Sequence, residues 1–471
     1  MKNRLNNDLI LLALLTGAGL VLRLIYLSGP EFWYDEAFTV LLSRLPFERM
    51  ILATAGDTHP PLYYLLTWVW VRIVGSSEFT MRLPSVIAGT AAIPLAWLVT
   101  DRLELSRNTR WAVVIVMALG PFELYFSQEA RMYTLLQLAY LWAVLALIDR
   151  KWLQLALANL ALLYLHNYGL FYVATLGLLA LYQERRLTPQ IAGAFAIPAL
   201  AWSPWIAVLL YQMGQVGGGY WIEPVTLGQI VYTLTLFLFG PFVRQWVMAA
   251  TMVSIGALVY AAVNVTRRSL AIYWLAFAPL ILAVLASLIW KPVYLFRGLI
   301  GCAPFFYMLI FQPLADLPGW RRVYAGALIV PLLVIGLAGY WIDIRAFKST
   351  TLEAVGRIKS EWQTGDILYS SNDGNWVMFS LYQDQPVYLM PPCNAGDHGG
   401  LSDVTRQALG VPVLSLDQID HRRAWLLWNW GAPTSACNRD RAAELVGDSK
   451  PWWLVKETDI QSAGIWLLEG Q

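Results

Sequence analysis

Apolar stretches of helical length recur from the N-terminus to about residue 342, broken by short polar turns, and then the pattern changes. From residue 343 onward, charges and turn formers alternate with short apolar runs at 367–369, 387–390, 424–428 and 465–468. Helix-like stretches at 351–362 and 375–382 lie among them. Long apolar segments predict membrane helices, and short runs bounded by turn residues predict strands. The chain therefore reads as an all-α polytopic membrane domain over residues 1–342, followed by a small α/β domain over 343–471. There is no convincing repeat and no low-complexity tract.

Eleven crossings are expected, at 8–27, 83–101, 111–127, 132–148, 152–165, 168–183, 190–211, 245–265, 270–290, 295–312 and 322–342. The first, preceded by Lys2 and Arg4, has no small-residue cleavage site with a polar region behind it, so it reads as a retained helix. Its Arg23, near the outer end, is expected to snorkel to the interface. The apolar segment 61–75 is about 15 residues, roughly 22 Å of helix against about 30 Å of hydrocarbon, and it contains Arg72. Treating it as non-crossing gathers Lys2, Arg4, Arg102, Arg107, Arg110, Arg150, Lys151, Arg185, Arg186, Arg267, Arg268, Arg321 and Arg322 on the cytoplasmic side. Segments 61–75 and 227–240 then become surface helices at the outer face. The first outer loop, 28–82, and the C-terminal domain lie outside as well.

Composition agrees. Of 471 residues, 58% are hydrophobic and 14% charged, where soluble domains carry about 25% charge. Such a chain cannot cover itself with polar surface, so lipid is its solvent, in a cell (inner or plasma) membrane. The formal charge of +2 gives no argument for nucleic acid. There are three cysteines and no CxxC. Cys302 sits in an apolar helix as packing, while Cys393 and Cys437, both outside, could form a disulfide.

On this topology the unusual polar residues gather at the outer face, where ionisable groups beside a bilayer are costly and retained for a task. Asp35 and Glu36 follow the helix-ending Gly29-Pro30 and open an amphipathic stretch. They can cap that helix, or one of them can accept a proton from an acceptor hydroxyl. His59 precedes Pro60-Pro61, which suits a helix start. It is either structural or meets phosphate or acceptor. Glu129 lies beside Arg131 in Gln128-Glu129-Ala130-Arg131 and can pair locally, shape a site or bind a divalent cation. Arg82, Arg131, Arg297 and Lys291 are cations for phosphate, arginine's fork matching its oxygens in pairs. His166 and Tyr220 complete the set as site-shaping residues. No glycine-rich phosphate loop occurs, which fits a donor drawn from the membrane.

Four stretches carry a resemblance: Trp33-Tyr34-Asp35-Glu36-Ala37, His59-Pro60-Pro61-Leu62, Ser77-Glu78-Phe79 with Arg82-Leu83-Pro84-Ser85, and Ser127-Gln128-Glu129-Ala130-Arg131-Met132-Tyr133. In this order they resemble the GT-C glycosyltransferases, within them the bacterial protein O-mannosyltransferase and aminoarabinose-transferase group. The resemblance implies a GT-C fold, a polyprenyl-phosphate-linked sugar donor, an outer-face site and an inverting single displacement. The family's catalytic carboxylate matches Asp35, with Glu36 beside it. Some relatives carry lysine where His59 stands. The acceptor is left open among protein, lipid and glycan. No cofactor is assigned with certainty; a divalent cation is possible, with Glu129 and His59 as weak ligand candidates. Two other classes compete: a flippase or transporter of lipid-linked sugar, and an inactive GT-C-like assembly protein.

Overall fold

The computed structural model describes residues 2–215, 222–346, 350–391, 400–415, 423–429, 440, 443–444, 446, 452–460 and 463–470. Tyr220, Cys393 and Cys437 lie outside the described residues. Contacts divide the chain into two compact units. One comprises Met1–Leu27, Phe79–Ala207 and Trp221–Ala346; the other comprises Ser28–Glu78, Val208–Tyr220 and Phe347–Gln471.

The first unit is helical. Each of the eleven apolar segments is occupied by one helix or by a bent pair. Among the described residues, six helices are long and apolar enough to cross a membrane, and eight spans result if each bent pair counts as one. The pairs are Arg107–Leu119 with Pro121–Ser127, bent by 45°, and Pro189–Trp202 with Pro204–Gly214, bent by 61°. Tyr133–Ile148, Trp152–Leu165 and Gly169–Glu184 have 16, 14 and 16 residues, short of a full hydrocarbon thickness. Only 17% of the first helix's apolar window is buried, against 83% for Phe296–Ala315. The latter is thus a central helix, and the former turns its leucines outward for lipid to cover.

Arg23 departs from the sequence expectation. It does not snorkel: it is fully buried, and its guanidinium donates to the carbonyls of Met117 (2.8 Å) and Ala118 (2.9 Å). The last carbonyls of a helix lack helical partners, and Pro121 has no N–H to offer. The break at Gly120–Pro121 therefore leaves oxygens that a buried cation satisfies better than it would satisfy itself by reaching for water. Cys302 is a buried free thiol, as expected.

The second unit contains the helices Tyr34–Arg44, Phe47–Gly56 and Leu62–Val74, together with a mixed five-stranded sheet. Strand β1 (Ile367–Ser370) runs parallel to both β2 (Val387–Leu389) and β3 (Arg423–Asn429). Strand β5 (Ala463–Gly470) lies antiparallel between β3 and β4 (Trp452–Ile460). The order is β2-β1-β3-β5-β4. Tyr369, Ala424, Leu426 and Leu468 are fully buried at its core. The expected strands and both expected helices are present, as Thr350–Glu361 and Asp373–Tyr382. Strand β4 and helix Asp403–Leu409 went unforeseen. The β4 strand is an edge, and its Lys456, Glu457 and exposed Val455 give no buried alternation to detect.

Helix Leu62–Val74 belongs to this second unit. Its Arg72 stacks 3.6 Å above the Trp68 ring and donates to the carbonyls of Ser43 and Leu45, so its charge is spent on neighbouring chain ends. Helix Leu227–Phe239, also short, opens on a capping box between Thr226 and Gln229.

Long-range hydrogen bonds join the 28–78 loop to the C-terminal segment inside this unit, among them those of Glu31 and Tyr382. The Glu31 carboxylate accepts the amides of Thr351 (3.1 Å) and Leu352 (2.9 Å) at the start of helix Thr350–Glu361. The Tyr382 hydroxyl donates to Glu78 (3.0 Å) and accepts the Phe32 amide (2.8 Å). Burial pushes the Tyr382 phenol up, which keeps it a neutral donor. Glu31→Ala removes the cap and is expected to cost about 1 kcal/mol, read as faster amide exchange at Thr351 and Leu352. Unchanged protection at both amides would deny Glu31 that role.

Candidate functional site

In the second unit, Trp33 ends an extended segment and caps helix Tyr34–Arg44, so Asp35 and Glu36 fall in its first turn. Their environments differ. Glu36 is 1% exposed and accepts the Trp33 backbone amide at 3.4 Å, the reciprocal half of a capping box. Asp35 is half-buried, and its backbone carbonyl accepts the Thr39 hydroxyl at 2.9 Å. Glu36 therefore serves the cap of this helix, with Asp35 beside it in the first turn.

Helix Tyr34–Arg44 packs on Leu62–Val74, with Phe38 edge-on to Tyr64. Just before that second helix, His59 Nδ1 lies 3.1 Å from Asp57 Oδ2 and 3.2 Å from the Thr58 hydroxyl. The Tyr64 hydroxyl donates to the same Asp57 oxygen at 2.9 Å. A carboxylate accepts only, so the Asp57 contact calls for a proton on Nδ1 and leaves Nε2 as the ring's other polar atom. The sequence groups Asp57 with His59 at the outer face and assigns it no role. Its signal was a carboxylate two residues before the histidine, with a tyrosine seven residues beyond it.

The first unit gathers a second group. The Gln128–Arg131 turn follows helix Pro121–Ser127, and within it Glu129 is 6% and Arg131 2% exposed. The Ser85 hydroxyl donates to the Arg131 carbonyl at 2.9 Å, which ties the turn to helix Glu78–Arg102. Arg82, one turn earlier on that helix, is buried and donates to the Leu27 carbonyl at 2.8 Å. Tyr133 connects the remaining members: its ring lies 6.2 Å from that of His166 and 5.9 Å below the Arg297 guanidinium. His166 Nδ1 accepts the Tyr168 amide at 3.1 Å, which leaves that nitrogen without a proton.

Arg297 rides on the short 3-10 helix Phe296–Cys302. Two tyrosines hold this segment, a device the sequence did not reveal. Tyr168 donates to the Val293 carbonyl (2.7 Å) and accepts the Leu295 amide (2.6 Å). Tyr172 donates to the Gly298 carbonyl (2.8 Å) and accepts the Gly301 amide (3.0 Å). Gly298 lies so close that a Cβ there would stand 2.8 Å from the Tyr168 ring. Lys291, partly exposed six residues before Arg297, takes no part in these hydrogen bonds. Among the described residues there is no group of three or more His, Cys, Asp or Glu placed to hold a metal ion.

No family model and no curated protein matches the chain. Solved structures do. ArnT from Cupriavidus metallidurans in the apo state aligns at a TM-score of 0.63, with 12% identity over 98% of each chain. The same ArnT bound to undecaprenyl phosphate aligns at 0.61, with 11% identity over 97% of each chain. The Archaeoglobus fulgidus oligosaccharyltransferase tethered to an acceptor peptide aligns at 0.50, with 10% identity over 89% of this chain and 69% of that one. Identity this low speaks of fold alone: over nearly its whole length the chain shares the fold of these ArnT structures.

Proposed function

We propose that the chain is a membrane glycosyltransferase that moves a sugar from a polyprenyl-phosphate carrier to an acceptor hydroxyl or amine at the outer face of the cell membrane. The observation that carries the reading is end-to-end likeness to ArnT, which was also solved bound to undecaprenyl phosphate. It is supported by a carboxylate, Asp35, at a helix start where Glu36 already serves the cap.

In the proposed reaction Asp35 takes the acceptor's proton as the acceptor atom attacks the sugar's C1. The C1–O bond to phosphate breaks, and polyprenyl phosphate leaves with the bonding pair. A phosphate is a good leaving group, so the main demands are a base on one side and cations on the other. Arg82, Arg131 and Arg297 are the proposed phosphate ligands, with His59 as a further donor contact. Tyr133 and His166 shape the sugar's surroundings.

The test is reconstitution of the purified full-length chain in liposomes with a panel of polyprenyl-phosphate sugars, paired with mass spectrometry of cells with and without the gene. Accumulation of one lipid-linked sugar in the deletion, and loss of one glycoconjugate, are expected. Normal levels of every lipid-linked sugar and glycoconjugate would reject a transferase. A transport reading draws on the two bent spans and the buried Arg23 and Glu123, since broken helices with interior ionisable groups also suit transporters. Movement of a lipid-linked sugar across the vesicle wall without any product would favour it.

A further inference from the structure

Arg23 is a fully buried guanidinium on the first helix, outside the proposed phosphate site, and four oxygens surround it. Nη1 donates to Gly19 (3.0 Å) and Ala118 (2.9 Å), Nη2 to Met117 (2.8 Å), and Nε to the Ser127 hydroxyl (3.0 Å). Carbonyls 117 and 118 close the helix before the break, and Ser127 closes the short helix after it. One planar cation therefore grips both sides of a 45° bend. A buried charge is expensive, and four directed hydrogen bonds are what makes it tolerable.

The residue after Ser127 is held from the same helix. Gln128 Nε2 donates to the carbonyls of Arg23 (2.7 Å) and Ile25 (2.9 Å), while its Oε1 accepts the Tyr340 hydroxyl. From the opposite side, Gly89 on helix Glu78–Arg102 lies against Ser127: a Cβ on Gly89 would overlap the Ser127 hydroxyl and stand 3.1 Å from its Cβ. Glu129, Ala130 and Arg131 come next. Their turn thus starts from a point that the first helix fixes and the Gly89 helix leaves room for.

We infer that Arg23 is a positioning residue: by clamping the Gly120–Pro121 break and Ser127, it sets the Gln128–Arg131 turn and so aims Arg131 at the donor's phosphate. The turn's dependence on Arg23 stands on the hydrogen bonds alone, and the consequence for phosphate rests on the transferase reading. Lysine at 23 keeps a cation but has no fork to span both sides of the bend. Alanine at 89 displaces Ser127 and presses on the Arg23 Nε, 3.3 Å from the added Cβ, so it disturbs the Arg23–Ser127 contact from the other side.

The full-length protein carrying Arg23→Lys or Gly89→Ala tests this with three readouts: amide exchange over residues 127–131, binding of undecaprenyl phosphate, and steady-state kinetics. Each variant is expected to speed exchange in the turn and to raise the donor KM about tenfold, with kcat within about threefold. A merely structural defect reduces the amount of active enzyme, hence the maximal rate, at unchanged KM. That outcome, or wild-type exchange in the turn of both variants, overturns the inference. If Arg23→Lys fails to accumulate, Gly89→Ala carries the same decision. If the wild type itself binds no undecaprenyl phosphate, it is the transferase reading that falls, and the exchange data still decide whether Arg23 sets the turn.

Discussion

Asp35→Asn is expected to lower kcat by about 10³-fold or more while insertion, expression and donor binding stay at wild-type level. Asparagine keeps the size of the side chain and suits the first turn of helix Tyr34–Arg44, so the helix start persists. It removes only the ability to accept a proton. At ordinary temperature that loss corresponds to about 4 kcal/mol of transition-state stabilisation. The informative companion is Glu36→Gln. Its side-chain oxygen can still accept the Trp33 amide, so the cap survives and activity is expected within about tenfold of wild type. Measured transfer of labelled sugar by both variants assigns the role. A large loss in Glu36→Gln with full turnover by Asp35→Asn would hand the base to Glu36.

The second large effect is expected at Arg297. Arg297→Gln should reduce kcat/KM for the lipid-phosphate donor by about 10²-fold, most of it as a higher donor KM. The reasoning is geometric. The guanidinium sits over Tyr133, and its backbone is held on both sides by Tyr168 and Tyr172. A cation held this firmly spends little freedom when phosphate arrives. Arg297→Lys keeps the charge but gives up the fork and the ring stacking, so an intermediate loss of about tenfold is expected. Gly298→Ala forces a Cβ against the Tyr168 ring and should shift the segment without touching the charge. Donor titrations of the three variants separate charge from placement. An unaltered donor KM in Arg297→Gln would remove this arginine from the phosphate site.

The two groups of candidates were legible to different degrees. Asp35, Glu36, His59, Glu129 and Arg131 stand in short local motifs, and the motif itself carries the message. Their partners do not. Asp57 is an ordinary loop aspartate until His59 and Tyr64 are seen to converge on one of its oxygens. Tyr168 and Tyr172 read as apolar helix residues, yet their hydroxyls hold the Arg297 segment.

Arg23 is the clearest mismatch. At the end of an apolar stretch, a long basic side chain is expected to reach the interface, because the cost of burial is weighed with no partner in view. The partners sit about a hundred residues away, at a proline break whose oxygens need a donor.

What the chain alone determined was periodic and local: the apolar segments that became helices, four of the five strands, the carboxylate pair at a helix start, and the motifs that point to the GT-C fold. These follow from neighbours in sequence, because helix and strand formation, capping and hydrophobic burial act over a few residues. Only the tertiary structure decided that the 28–78 loop shares a unit with the C-terminal sheet and that Arg23 is an interior clamp. Such outcomes depend on directed hydrogen bonds between distant segments, and those have no period to read.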